Sequence, residues 1–349
     1  MSDKVNIGVI GAGWWATLSH IPALRANPNV EIVAVNRPDA DGMEKVVASF
    51  PGVKPYFDAA EMLAKETLHG VVVASPHILH AEHAQLALSR GLPTLIEKPM
   101  ATSAADARAL LATANANNTQ IILPYGWNFR PIVETAHQLV KDGWVGEVRH
   151  VVAQMASALA DLFSGEPMVE TKDHLFRPPV STWADPKKSG GYGWGQLTHG
   201  LGALFRIVDL DPAKVFAKTG LSPAGVDFYD AAVVEFANGA TMALSGSATV
   251  PKSRGYQIDI RIFGTEGMML FDIERARVEV IRHDGKTHIA DLGPDAGAYE
   301  QVAPITLLVD LARGKQVPNP ADGAVGMRSS VLLDAMYRSA RSGRLEDVL

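Results

Sequence analysis

The sequence predicts a parallel α/β domain followed by an α+β domain dominated by an antiparallel sheet, and three observations carry that prediction. Residues 1–125 alternate near-continuous Val/Ile runs with amphipathic stretches, a glycine-rich turn follows the first run, and beyond Pro124 the apolar residues begin to alternate between turn dipeptides. Strands buried on both faces read as continuous apolar runs, whereas strands with one wet face alternate.

The predicted strands of the first sheet are Val5–Ile10, Val30–Val35, Val71–Ala74, Thr94–Glu97 and Gln120–Leu123. Helical stretches between them include Ala81–Ser89 and Ser103–Asn117, in which Ser103 is a plausible N-cap and Asp106 suits the positive helix end. Further on, Pro131–Asp142 reads as a helix stopped at Gly143, and Glu147–Met155 reads as a strand. A stretch rich in Pro, Gly and charge runs from Ser157 to Gly195. Ala231–Phe236 and Ala240–Ser245 flank Asn238-Gly239, a dipeptide suited to the positive φ angles of a tight hairpin. Ile258, Ile260 and Ile262 alternate with Asp259 and Arg261, as in a strand with one solvated face. Ser329–Arg341 is a closing helix, and the expected division is 1–125 and 126–349.

At 349 residues the chain can hold two domains, each with its own core. A hydrophobic share of 47% and a charged share of 20% belong to an ordinary globular protein. A net charge of −6 argues against nucleic acid as partner, because phosphate backbones need clustered Lys and Arg. With no cysteine, disulfides, thiolate nucleophiles and Cys-based metal sites are excluded. There is neither a basic leader nor a run of about 18 apolar residues, so a cytoplasmic protein without signal peptide or membrane span is expected.

Gly11, Gly13 and Ala16 follow the first predicted strand and open a predicted helix. The first glycine permits a tight turn, the second lets a pyrophosphate approach the backbone, and Ala16 lets the helix pack on the sheet. This points to a bound dinucleotide. At the end of the second strand, where an acidic residue would accept hydrogen bonds from the ribose of NAD, stands Asn36-Arg37. Asn removes a repulsion toward a 2′-phosphate and Arg adds a planar cation, so NADP is expected ahead of NAD. Alternatively, Arg37 stacks on the adenine or points to solvent. Trp14 and Trp15 either wall the nicotinamide pocket or plug the gap between domains.

Several motifs then agree with one family. The glycine turn, Ser75-Pro76 with His80, Glu97-Lys98-Pro99, Asn128-Phe129-Arg130-Pro131 and the stretch Gly190–His199 resemble the Gfo/Idh/MocA oxidoreductases, relatives of glucose–fructose oxidoreductase and inositol dehydrogenase. The resemblance spans almost the whole chain in the same order. It implies a Rossmann domain and a C-terminal domain on a large open sheet, which often packs against its mate in homodimers or homotetramers. It also implies oxidation or reduction at a secondary alcohol of a sugar, polyol or related compound. Family members often carry Asp four residues before the active-site histidine; here that position is Gly195.

Oxidising a secondary alcohol requires a group near the working pKa to take the hydroxyl proton. A free lysine, at about 10.4, is too basic, but burial and a nearby positive nicotinamide would lower it. Lys98, at the carboxyl end of a strand, is therefore expected to transfer the proton, with His199 orienting the hydroxyl or sharing the proton. Ser75, His80, Glu97 and Asn128 are expected around the cofactor, and Arg130, Trp183 and Gln196 around the substrate. Arg130 has an interdomain salt bridge as its alternative, Glu97 the orientation of backbone amides, and Trp183 the anchoring of its own loop. His77, His80 and His83 recur every three residues, but i and i+6 diverge on a helix, so no metal is expected. Arg177, Lys187 and Lys188 either recognise an anionic substrate group or belong to a solvated loop. The competing functions are a sugar hydrolase or isomerase that retains its cofactor and a non-catalytic dinucleotide-sensing regulator, which would need neither Lys98 nor His199.

Overall fold

A computed structural model describes residues 4–293 and 295–349. Six parallel strands form the first sheet: β1 (Val5–Ile10), β2 (Val30–Asn36), β3 (Lys54–Tyr56), β4 (Gly70–Val73), β5 (Thr94–Ile96) and β6 (Ile121–Ile122). Their order is β3-β2-β1-β4-β5-β6. The connections reverse direction between β1 and β4, and open α/β sheets place ligands outside the carboxyl ends of strands at such a switch point. Ile7, Val9, Val71, Val72 and Val73 are fully buried, as strands covered by helices on both faces require. Ser103 caps the helix Ala104–Ala116: its Oγ accepts from the Asp106 backbone N–H at 3.1 Å and donates to the Asp106 carboxylate at 2.7 Å.

Nine strands form the second sheet: β7 (Val148–Ala156), β8 (Pro212–Leu221), β9 (Asp227–Phe236), β10 (Thr241–Ser247), β11 (Gln257–Gly264), β12 (Gly267–Asp272), β13 (Arg277–Arg282), β14 (Thr287–Ile289) and β15 (Glu346–Asp347). Their order is β14-β13-β12-β11-β7-β10-β9-β8-β15, and all pairs are antiparallel except β7 with β10. In the hairpin between β9 and β10 only Gly239 takes a positive φ, 85°. Ile258, Ile260 and Ile262 are buried on one face of the sheet, the face on which the helix Thr198–Ile207 packs against β7 and the helix Gly323–Ser342 against β8. The other face is open and exposes Val152, Phe216, Tyr229 and Val233.

The division of the chain is less simple than a cut near residue 125. The helix Ala303–Ala312 returns to the first sheet, where Ile305, Leu308 and Val309 pack with Ile7, Val72 and Leu95. The helix Gly323–Ser342 lies between the two units, against both Ala104–Ala116 and β8. No helix among the described residues is long and apolar enough to cross a membrane.

Candidate active site

The site begins where β1 ends. Gly11 turns the chain at φ 84°, and a Cβ there would meet the Ser75 backbone nitrogen at 2.4 Å, so only glycine lets the loops after β1 and β4 touch. The Gly11 and Ala12 N–H groups both donate to the Asn36 carbonyl, which ties the turn to the end of β2. Above Gly13 the space is open: a Cβ there would find nothing nearer than 3.9 Å. The following helix widens into a π-turn over Ala16–His20 before continuing as Ile21–Ala26. A cleft of about 550 Å³ opens over these strand ends, lined by Gly11, Gly13, Trp14, Trp15, Arg37 and Ser75. A glycine turn with clear space above it, at the switch point of a parallel sheet, fits the pyrophosphate of a dinucleotide.

Arg37 lies across the turn. Its guanidinium donates to the Ala12 carbonyl at 3.0 Å and pairs with Asp39 at 2.6 Å, and the ring of Phe176 covers it at 4.1 Å. Phe176 belongs to the Pro- and Gly-rich stretch of the second unit, which reaches over the cleft. In the same stretch His174 Nδ1 accepts from the Trp14 indole at 3.0 Å, and Trp183 packs edge-on against Trp14 and His77.

Deeper in the cleft lie Glu97 and Lys98, just past β5. Glu97 is buried; one oxygen lies 2.8 Å from His20 Nε2 and the other accepts the Lys98 backbone N–H. Burial alone would push the Glu97 carboxyl up, but the bond to His20 and the neighbouring positive charges hold it below its usual range. The Lys98 Nζ donates to the Gly195 carbonyl at 2.6 Å and sits 5.0 Å from the Trp183 ring centroid. Burial lowers the Lys98 pKa to about 8, despite the opposing pull of Glu97. Gly195 belongs to a π-turn over Gly193–Leu197 that leads into the helix carrying His199. Burial and the adjacent Lys98 hold His199 well below the usual histidine range, so its ring is neutral. Tyr125, Trp127 and Tyr299 surround that ring edge-on, with centroids 5.5–5.8 Å away. His199 Nδ1 and Gln196 Oε1 are buried without a hydrogen-bond partner among the described residues, and both residues line the cleft.

The cleft thus gathers Gly11, Gly13, Trp14, Trp15, Arg37, Ser75, His80, Glu97, Lys98, Trp183, Gln196 and His199 from distant parts of the chain. Three expected site residues are not among those lining the cleft. The Asn36 amide donates to the Tyr56 carbonyl under the sheet edge. The Asn128 amide donates to the Gly202 and Pro320 carbonyls, joining segments of the second unit. Arg130 bonds the Asp295 carbonyl and pairs with Glu300 at 3.6 Å, both in the second part of the chain. The side-chain direction at a strand end or a helix start decided each case.

The three closely spaced histidines are held separately. His77 Nδ1 lies 2.9 Å from the Ser189 carbonyl, His80 sits 2.7 Å from both the Pro99 and Ser75 carbonyls, and His83 bonds the Ser75 hydroxyl. His80 therefore fastens the Lys98-Pro99 loop to the loop after β4. Arg177, Lys187 and Lys188 are exposed and do not line the cleft. The sequence reading missed Trp127, Tyr256, Tyr299, His174 and Phe176. Only the adjacency of Trp127 to Asn128 could have signalled one of them.

Residues 5–125 match the family described as oxidoreductase family, NAD-binding Rossmann fold, and residues 133–270 match the GFO/IDH/MocA C-terminal domain. The chain is 27% identical to dTDP-3,4-didehydro-2,6-dideoxy-alpha-D-glucose 3-reductase of Streptomyces antibioticus, over 97% of this chain and 98% of the relative. It is 24% identical to D-xylose 1-dehydrogenase (NADP(+)) 2 of Haloferax volcanii, over 96% and 97%. Among solved structures it resembles the WlbA dehydrogenase of Bordetella pertussis in complex with NADH and UDP-GlcNAcA. The TM-score there is 0.76 at 19% identity, over 99% of this chain and 98% of the other.

Proposed function

The chain belongs to the Gfo/Idh/MocA oxidoreductase family, and from that premise we propose that it interconverts a secondary alcohol and a ketone on a sugar, polyol or sugar acid, with Lys98 transferring the proton. The single observation that carries this reading is Lys98 itself: a lysine at the carboxyl end of β5, tuned to a pKa of about 8 beside a neutral histidine, in the cleft of a dinucleotide-type sheet.

A bound nicotinamide dinucleotide supplies the hydride acceptor or donor. The turn at Gly11 and Gly13 would hold its pyrophosphate, with Arg37 and Ser75 beside it. In the oxidising direction, neutral Lys98 Nζ accepts the substrate hydroxyl proton; in the reducing direction the ammonium returns it. The Gly195 carbonyl holds Nζ on the cleft wall in either state by accepting one of its hydrogens. His199 and Gln196, which line the cleft with Lys98, orient the hydroxyl. Trp127, Tyr299 and Trp183 shield that corner from water.

For the cofactor we propose NADP ahead of NAD, on the strength of Arg37 at the rim of the cleft. Its partner Asp39 already balances part of that charge, so the expected preference is a graded one. We take the open face of the second sheet, with Val152, Phe216 and Val233, as the place where two copies meet; sedimentation would reveal a monomer if they do not.

Turnover of a panel of sugars and polyols with NADP+ and NAD+ tests the reading. Lys98→Ala should lose about 10²- to 10⁴-fold in kcat, the range that general acid–base groups contribute. A variant with near-normal kcat would remove Lys98 from the chemistry.

A further inference from the structure

The Lys98 amine is held on the cleft wall by the Gly195 carbonyl, and that carbonyl ends a run, Gly190–Gly195, in which four of six residues are glycine. A backbone so free in φ and ψ does not fix the direction of a carbonyl by itself. We propose that Asp227, together with Tyr337, is the positioning residue for that amine: it pins the π-turn Gly193–Leu197 from behind and so sets where the Gly195 carbonyl holds Lys98. This rests on the reading of Lys98 as the proton-transfer group and adds to it a carboxylate that never touches substrate.

Asp227 opens β9 and is buried. Its Oδ2 accepts the Gly193 N–H at 2.7 Å, and its Oδ1 accepts the Tyr337 hydroxyl at 2.8 Å. The Tyr337 oxygen in turn accepts the Trp194 N–H at 3.3 Å, and its ring stacks on the Trp194 indole with centroids 5.2 Å apart. The first N–H groups of a helical turn have no partner within it. Here two of them are answered from β9 and from the helix Gly323–Ser342. The Gly195 N–H closes on the Gly191 carbonyl at 2.9 Å, and the Thr198 N–H reaches back to the Gly193 carbonyl. Residue 193 is therefore gripped on both sides, two residues before the carbonyl that holds Lys98.

The glycine run is shaped to this anchor. Gly191 takes φ 120°, and a Cβ there would fall on Asp227 Oδ1, while a Cβ on Gly193 would come within 2.7 Å of the Tyr337 oxygen. Neither Asp227 nor Tyr337 is among the residues lining the cleft, so contact with a ligand does not account for them. A carboxylate withdrawn from water is costly unless it is hydrogen-bonded, and the turn supplies those bonds. The neighbouring Asp230 does not compete for the donors. Burial and the adjacent Asp227 push its carboxyl well above the ordinary range, so Asp230 is the member of the pair that keeps its proton.

The titratable groups that act on Lys98 are Glu97 at its own strand end, His77 in the loop after β4 and His199 on the helix after the turn. None of these is altered by a change at Asp227 or Tyr337. Freed from the carbonyl, the amine on its four-carbon stem swings into the water of the cleft, where its charged form is better solvated. Removing the Asp227 charge can by itself only lower the pKa of a lysine, so a rise identifies loss of position.

Competitive labelling of the full chain with acetic anhydride, read at the Lys98 peptide by mass spectrometry across a pH series, gives the titration midpoint of that amine without turnover. In the wild type the midpoint should fall at about 8. Asp227→Ala should raise it by about one pH unit or more, because the released amine regains water. Tyr337→Phe keeps the stacked ring but removes the acceptor of the Trp194 N–H, and should raise it by less. Asp227→Asn, whose amide oxygen can still accept from Gly193, should return it toward the wild-type value. A merely structural role would lower the melting temperature and leave the Lys98 midpoint where it was. An unchanged or lowered midpoint in Asp227→Ala, or in Tyr337→Phe should Asp227→Ala fail to fold, would overturn the proposal while leaving Lys98 as the proton-transfer group. A wild-type Lys98 that titrates at about 10.4, as a free lysine does, would overturn both the proposal and the reading it rests on.

Discussion

The Lys98 ammonium donates to the backbone carbonyl of Gly195 at 2.6 Å, at the position where the family resemblance implies an aspartate. The absence of a side chain there is enforced by packing. A Cβ on residue 195 would meet the Phe163 ring at 2.9 Å and the Trp183 ring at 3.0 Å. A carbonyl holds the lysine in place as a carboxylate would, but it brings no full negative charge. Burial can therefore depress the Lys98 pKa with only Glu97 opposing it.

Gly195→Ala tests that packing. Forcing a methyl against the buried Phe163 ring and the half-buried Trp183 ring should destabilise the protein by about 1–3 kcal/mol, the usual cost of overpacking a core. Chemical denaturation would measure it. An unchanged midpoint would mean that Phe163 and Trp183 yield without cost.

Lys98 also sets a pH dependence. With a pKa of about 8, the neutral amine needed to accept a proton grows in as pH rises. The oxidation kcat/KM should therefore climb through pH 8 and level off, and the reduction should fall through the same pH. His199, already neutral, adds no limb near neutrality. A profile flat between pH 6.5 and 9.5 (a span chosen to bracket that pKa of about 8) would assign the proton to another group.

The same residue is predicted to lower stability. Its folded pKa lies below the unfolded value of about 10.4, so between pH 8 and 10.4 the unfolded chain binds more protons and wild-type stability rises with pH. Below pH 8 the cost of the half-buried charge is present in full. Lys98→Met should raise the melting temperature at pH 7, and that gain should shrink as pH approaches 10.4. A variant that melts lower than wild type at pH 7 would refute this, whatever its activity.

What could be read in the sequence follows from what side chains announce. The apolar runs of β1, β2 and β4 and the cap at Ser103 were legible because burial on both faces and capping each leave a local pattern. The edge strand Lys54–Tyr56 was not legible, being three residues long, mostly exposed and interrupted by Pro55. Lys98, His199 and the glycine turn were found through motifs. The aromatic wall was not, because Trp127, Tyr256 and Tyr299 come from separate loops and share no spacing. Nor could Ile305 and Leu308 reveal which sheet they cover, since a helix's apolar stripe looks the same against either.

Asp227 and Asp230 form a second predicted asymmetry, behind the helix that carries His199. Asp227 accepts from the Gly193 N–H at 2.7 Å and the Tyr337 hydroxyl at 2.8 Å, while one oxygen of Asp230 is unpartnered and buried. Burial and the adjacent Asp227 push the Asp230 carboxyl well above the ordinary range. A raised folded pKa costs stability as pH climbs from the unfolded value of about 3.9 toward the folded one. Asp230→Asn should therefore stabilise the protein more at pH 8 than at pH 4. Asp227→Ala, which strands two buried donors, should cost about 1–3 kcal/mol for each. Equal losses in the two variants would contradict this division of roles.

Arg37 decides the remaining prediction, because its guanidinium sits on the glycine turn with Asp39 as counter-ion and Phe176 as cover. If it pairs with a 2′-phosphate, Arg37→Ala should weaken NADPH by about tenfold to a hundredfold, since hydrogen bonds to charged groups contribute about 1.5–3 kcal/mol. NADH, with a ribose hydroxyl in that place, should change little. Asp39→Asn should act in the opposite direction, strengthening NADPH by removing a competing anion. Tryptophan fluorescence can follow each titration without turnover, because Trp14, Trp15 and Trp183 line the cleft. Equal losses for both dinucleotides in Arg37→Ala would make the residue a brace for the turn at Ala12. The preference would then have to come from elsewhere in the cleft.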